Sequence, residues 1–217
     1  MIIGVLQQKG GAGKTTLTLN LAGYFAMEGA RTLVVDGDPQ ASAMAWSSVR
    51  EKKPLFPVIG MPKPTLHKDL PQLAKDYDIV LIDGAPRVNE LAKSAIMASD
   101  LILIPVQPSP FDIWSCTEIV SLVREAQQFR PDIKCAFVVN RKVGNTVISR
   151  EVTKAFKELP FPLLDATVGQ RVIFAETAAQ GLTVFDTAPS SPAAYEIAAV
   201  AELLVGANEN DKKRRVA

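Results

Sequence analysis

Cysteine, histidine and net charge are all scarce in this chain. Its 217 residues include two cysteines, Cys116 and Cys135, and one histidine, His67. The cysteines form no C-x-x-C pair, which argues against structural zinc and fits a reducing compartment. The formal charge is +1, from 24 basic and 23 acidic residues. No global excess therefore draws the chain to nucleic acid or membrane, and any such binding must come from a local patch. No apolar run approaches the roughly 18 residues of a membrane span. The opening "MIIGVLQQKGG" has no basic segment before its short apolar run, so it reads as a strand and not as a signal peptide.

What the chain does have is a hydrophobic fraction of 47%, enough for a substantial core in one large α/β domain. Five runs, "IIGVL", "TLVVD", "IVLID", "LILIPV" and "AFVVN", are apolar at consecutive positions. That pattern suits parallel strands buried on both faces. Helical spacing follows in Thr16 to Met27, where Leu17, Leu21, Tyr24 and Phe25 share a side, and again in 113–128 and 192–204. Alternating strands and helices predict a doubly wound, mostly parallel sheet flanked by helices, with ligands at the carboxyl ends of the strands. Residues 1–205 read as a single domain, 206–217 as a polar, flexible tail, and the proline-rich 52–64 stretch as a surface loop.

The stretch "GVLQQKGGAGKTT" carries most of the chemistry. It follows a strand and opens a helix, the context of a phosphate loop with pattern G-x-x-x-x-G-K-[ST]. Gly10, Gly11 and Gly13 allow backbone N–H groups to crowd around phosphate oxygens. Lys14 is placed to reach the β- and γ-phosphates, and the Thr15 hydroxyl to ligate Mg²⁺. Gln8 stands where the first glycine belongs, and Lys9 adds a second ammonium at the loop entrance. Two ammoniums so close in sequence call for negative charge between them, which nucleotide phosphates can supply.

Acidic residues end two of the strands. Asp83 closes "IVLID", the Walker B position opposite a phosphate loop, and is expected to hold Mg²⁺ through water. Gly84 then permits backbone approach to the γ-phosphate. Asp36 and Asp38 follow "TLVV". Asp36 is open between a turn residue and a site residue. Asn140, after "AFVV", is open between a turn residue and a contact to the adenine edge.

"KGGAGKTT" resembles the deviant Walker A signature of the ParA/MinD ATPases. "VVDGDPQASA" is similar to the family's first switch segment, "YDIVLIDGAP" to its Walker B and second switch, and "PVQPSPFDIW" to the proline-rich element of small ParA proteins such as ParF. "QRVIFAETAAQGLTVFD" is ParA-like as well, so the likeness covers most of the chain. The resemblance implies a P-loop NTPase fold that binds ATP and Mg²⁺ through Lys9, Gly10, Gly11, Ala12, Gly13, Lys14, Thr15 and Thr16, to which Asn140 is added as the candidate adenine contact. It implies that Lys9 crosses to the partner's nucleotide in an ATP-bound homodimer, and that Asp38 orients or activates the attacking water. It also implies slow ATPase activity stimulated by a ParB-like or adaptor protein, and a cytoplasmic, nucleoid-associated location.

Three branches of that superfamily differ in what they bind. A MinD-like membrane helix needs an apolar stripe, and "NENDKKRRVA" has none. An iron–sulfur branch needs exposed cysteine ligands, whereas Cys116 lies in a helical pattern and Cys135 opens a strand. The ParA branch uses non-specific DNA contacts, for which Arg141, Lys142, Arg150, Lys154, Lys157 and Arg171 are candidates, with Lys212 to Arg215 assisting. Arg171 heads that set because the ParA-like segment runs through it. His67 reads as a solvated loop residue, the cysteines as buried small hydrophobes, and Trp46 and Trp114 as packing or interface residues. With the phosphate loop beginning at residue 9, the chain is expected to have no DNA-binding extension of the larger ParA proteins and no promoter-repressing role. The reading is a ParA-type ATPase positioning a plasmid, chromosome region or protein organelle. The alternative is a small-substrate, ATP-dependent enzyme like dethiobiotin synthetase, against which Lys9 and "DGDPQ" argue.

Overall fold

The structure is a computed structural model describing residues 1–87, 89–144, 155–156 and 158–216. Among the described residues, seven parallel strands run β1 Ile2–Val5, β2 Thr32–Asp36, β3 Val58–Gly60, β4 Ile79–Asp83, β5 Leu101–Val106, β6 Lys134–Lys142 and β7 Leu163–Gly169. Their order in the sheet is β3-β2-β4-β1-β5-β6-β7. The helices are α1 Lys14–Met27, α2 Ser42–Ser48, α3 Leu66–Leu73, α4 Asn89–Ala98, α5 Pro110–Gln127, α6 Val172–Ala178, α7 Val184–Thr187 and α8 Pro192–Val216.

The consecutive apolar runs are explained by two cores, one on each face of the sheet. Leu33, Val35, Val80, Ile82, Ile102 and Ile104 pack with α3, α4 and α5. The intervening Val34, Leu81, Leu101 and Leu103 pack with α1, α2 and α8. A strand alternates its side chains between faces, so burial on both leaves the interiors of these strands apolar, with polar residues only at their ends, such as Asp36 and Asp83. On α1 the predicted stripe of Leu17, Leu21 and Phe25 faces the second core, with Tyr24 partly buried beside it.

Two strands escaped the sequence reading. The predicted surface loop 52–64 contains β3, a short edge strand on β2. At the other edge β7 is only half buried and includes the exposed Asp165, so its run lacks the apolar signal. His67 lies in α3, not in a loop; its backbone N–H donates to Ser94 Oγ, and its Nδ1 lies 2.9 Å from the same oxygen. The backbone of α8 continues helical to Val216, through the stretch read as a tail. Arg150, Lys154, Lys157 and the side chains of Lys212 to Arg215 lie outside the described residues.

Register sets the site. Asp83 pairs across the sheet with Val5 of β1 on one side and Asp36 of β2 on the other. Three strands thus end level, and the segments leaving them meet at one edge.

A buried ion pair ties the segment after α2 to α7. Arg50 Nη2 lies 2.6 Å from Asp186 Oδ1, with side chains 4% and 6% exposed. Asp186 Oδ2 also accepts from the backbone N–H and hydroxyl of Thr183, capping α7. Trp46 stacks on Phe56 and donates its indole N–H to Leu182 O, tying α2 to the same segment. Removing one partner of a buried pair leaves an uncompensated charge. Asp186→Ala is expected to lower unfolding free energy by about 3–5 kcal/mol, measured by urea denaturation; a loss under about 1 kcal/mol, the range of an exposed pair, would contradict this account.

Candidate nucleotide site

The loop from Gln7 to Gly13 is held from outside by side chains that grip its carbonyl oxygens. Gln107 Nε2 and Arg141 Nη1 donate to Gly11 O at 3.0 and 2.9 Å. Asn140 Nδ2 donates to Ala12 O at 2.8 Å. With those carbonyls engaged, the loop's N–H groups are left for an anion, as in a backbone nest. Gly11 has φ +78° and Gly13 φ +85°, the left-handed region that favours glycine. Open space lies beside Gly10 and Gly11, whereas a Cβ on Gly13 would collide with the Asn140 amide. Asn140 is thus part of the loop's scaffold, a role that its position after an apolar strand did not reveal.

Behind the loop, Lys14 and Asp83 are buried. Thr15 Oγ1 donates to Asp83 Oδ2 at 2.6 Å, while Asp83 Oδ1 is buried with no hydrogen-bond partner among the described residues. Burial drives the Asp83 carboxyl up to about 7; the Thr15 bond and Lys14 act against that rise, and Asp36 and Asp38 add to it. Burial likewise lowers Lys14 below the ordinary lysine value, with attraction to Asp83 and Asp38 opposing. A buried carboxylate with one orphan oxygen, a hydroxyl beside it and a nest of N–H groups fit a magnesium nucleotide. Thr15 and Asp83 would hold the cation side, and the loop with Lys14 the phosphates.

Asp36 and Asp38 separate clearly. Asp36 is buried, and its carboxylate accepts from the N–H groups of Asp38 and Met44 at 3.1 and 3.0 Å. It shapes the turn into α2. Asp38 is partly exposed, and its Oδ1 accepts from Gln40 N–H at 2.9 Å.

Beyond the loop a cleft of about 460 Å³ is lined by Gly13, Thr16, Asn140, Arg171 and Phe174, among others. It adjoins the phosphate loop and offers apolar and polar wall to a base. Arg171 is not a free cation there: its Nε and Nη2 donate to Glu196 at 2.9 and 2.7 Å. Cys116 and Cys135 are buried, as expected. Trp46 is buried packing, while Trp114 is exposed and makes an edge contact with Phe111.

Residues 3–184 match the model of the CobQ/CobB/MinD/ParA nucleotide binding domain. The chain belongs to that family. It is a nucleotide-binding domain of the ParA/MinD ATPase type. Among curated relatives, the maintenance of carboxysome distribution protein A of Halothiobacillus neapolitanus is 29% identical over 186 residues, covering 84% of this chain and 86% of the relative. The chromosome-partitioning ATPase Soj of Thermus thermophilus is 26% identical over 232 residues, covering 92% and 93%. Cobyrinic acid a,c-diamide synthase of Mycobacterium smegmatis, solved with a bound ATP analogue and magnesium, shares the fold with a TM-score of 0.75 at 18% identity, over 94% of this chain and 93% of that one. Among the described residues no helix is long and apolar enough to cross a membrane.

The raised Asp83 value has a sign that can be tested. Between its ordinary 3.8 and about 7 the folded protein holds a proton that the unfolded chain has lost. Stability without ligand is therefore expected to fall as pH climbs through that window and to level off above it. Binding of a cation needs the ionised carboxylate, so Mg²⁺-dependent nucleotide affinity is expected to rise from pH 6 to 8. Asp83→Asn is expected to flatten both trends, as read by thermal melts and by titration calorimetry. A wild-type pH profile already flat across that range would contradict the buried carboxylate.

Proposed function

We propose that the chain is a ParA-type ATPase. In this reading it closes into an ATP-dependent sandwich dimer, binds DNA without sequence preference, and hydrolyses ATP to position cargo. That cargo would be a plasmid, a chromosome region or a protein organelle. The observation that carries the reading is the second loop lysine. Lys9 sits beside the loop with its side chain 34% exposed, and its ammonium is engaged by Asp112 and not by the Lys14 site. A cation at the rim suits contact with a neighbouring subunit's phosphates. The relatives named for carboxysome distribution and chromosome partitioning support the cargo class.

The residues divide the work. Bound Mg²⁺ would neutralise charge on the phosphates during transfer of the terminal phosphoryl group to water. Lys14 and the loop N–H groups orient that group, and Lys9 from the other subunit adds charge to it. Thr15 supplies a ligand, and Asp83 acts through water. Asp38, at the tip after β2, positions the attacking water. Asn140 holds the loop and borders the cleft assigned to adenine. Hydrolysis would be slow alone and rise with a ParB-like or adaptor partner.

Arg171, with Arg141 and Lys142, is assigned to the DNA surface. Non-specific binding of this kind weakens linearly on a log–log salt plot. Because Arg171 is clamped to Glu196, Arg171→Glu sets two carboxylates against each other and is expected to lower thermal stability as well as DNA affinity. The Arg171→Gln change separates these effects: it is expected to stay folded and to bind duplex DNA more weakly on every sequence.

Variants test the assignments. Lys14→Ala is expected to lose nucleotide affinity, because a direct phosphate contact is gone. Asp38→Ala is expected to retain ATP and accumulate as a dimer in sedimentation, with hydrolysis reduced about 100-fold or more, the usual worth of a positioned proton-transfer group. Wild-type turnover in Asp38→Ala would remove that residue from the mechanism.

A further inference from the structure

The charge that answers Lys9 in this structure comes from its own chain. Lys9 Nζ lies 2.7 Å from Asp112 Oδ2, across 103 residues of sequence. The Asp112 side chain is 0% exposed, whereas that of Lys9 is 34% exposed. The acceptor is therefore enclosed by the fold, and the donor is the member that solvent reaches. Asp112 lies in the first turn of α5, inside the proline-rich "PSPFDIW" segment. Its other oxygen, Oδ1, accepts the N–H of Gln107 at 3.2 Å.

That second contact bears on what happens when Lys9 leaves. A carboxylate in the first turn of a helix is favoured by the helix dipole. Together with the Gln107 N–H, that position gives Asp112 favourable contacts that do not depend on Lys9. Gln107 in turn reaches the phosphate loop through Gly11 O. The segment that holds Lys9 thus also holds the loop.

We propose that Asp112 is the resting acceptor of Lys9, keeping the loop's second lysine within its own subunit until a partner's nucleotide phosphates draw it away. Asp112 is then a positioning residue that opposes ATP-driven dimerisation. The inference rests on the sandwich-dimer reading of Lys9. Its physical content is competition: one ammonium cannot be held at full strength by a carboxylate behind it and by phosphates across an interface. Removing the carboxylate's charge favours the interface, and the gain must vanish when the ammonium is absent.

Two measurements on Asp112→Asn test it, with Asp112→Ser as a second variant that keeps a small acceptor for the Gln107 N–H. The first is acylation of Lys9 by a water-soluble succinimidyl ester without nucleotide, read by mass spectrometry. Lys9 is expected to label several-fold faster in either variant than in wild type. The second is sedimentation with a non-hydrolysable ATP analogue and Mg²⁺. Either variant is expected to tighten dimerisation about 5- to 10-fold, within the usual span of coupling between sites, and to do so only when Lys9 is present. In the Lys9→Ala background the Asp112 change is expected to have no effect, an outcome that a merely structural role would not produce.

Unchanged Lys9 labelling overturns the resting ion pair. Dimerisation that is unchanged or weaker in folded Asp112 variants overturns the gate while leaving the sandwich dimer standing. A gain that persists in Lys9→Ala assigns the effect to packing and overturns the gate as well. Wild-type protein that stays monomeric with the analogue removes the sandwich reading itself, and the gate with it.

Discussion

The carboxylate of Asp83 is buried at the end of β4, one oxygen held by Thr15 and the other by nothing among the described residues. A buried polar atom without a partner costs free energy, and a buried charge costs more. The fold accepts that cost at the point where β1, β2 and β4 end level. Parallel strands place every carboxyl end on one edge, so the phosphate loop, Asp38 and Asp83 are neighbours although they lie in three separate segments. The same geometry explains why the loop is so well secured. Three side chains from β6 and from the segment after β5 hold its carbonyls, and the N–H groups follow.

Charge within the site is arranged in two tiers. Lys14 and Asp83 lie deep in the site, where burial weakens the preference of both for the charged form. Lys9 is turned outward and answered by a separate buried carboxylate, Asp112. The two lysines do not compete for one anion in the resting chain.

The phosphate-type loop and the central strands were legible in the sequence because their signals are local. A glycine-rich loop between strand and helix is one continuous segment, and strands buried on both faces read as unbroken apolar runs. The edge strands β3 and β7 gave no such signal: one is three residues long and the other is half exposed. Interactions between distant segments were not legible either. Asp112 meets Lys9 across 103 residues, and Arg50 meets Asp186 across 136. Arg171 stood out by resemblance, yet its pairing with Glu196 depends on how α8 packs along β7, which no spacing in the sequence encodes. Asp36 and Asp38 looked alike as strand-end acids. Only burial and hydrogen bonding distinguish the buried, turn-shaping Asp36 from the partly exposed Asp38.

The central claim is that Lys9 serves the nucleotide of the opposite subunit, and mixing two inactive variants tests it most directly. Lys9→Ala protein keeps an intact Lys14 pocket but lacks the outward lysine; Lys14→Ala protein keeps that lysine but lacks the pocket. A mixed dimer assembles one complete site from both. ATP hydrolysis in an equal mixture is predicted to exceed clearly the sum of the two variants measured separately, at matched total protein. A rate no greater than that sum, with mixed dimers demonstrated by differential tagging, would contradict the account and return Lys9 to a role within its own subunit.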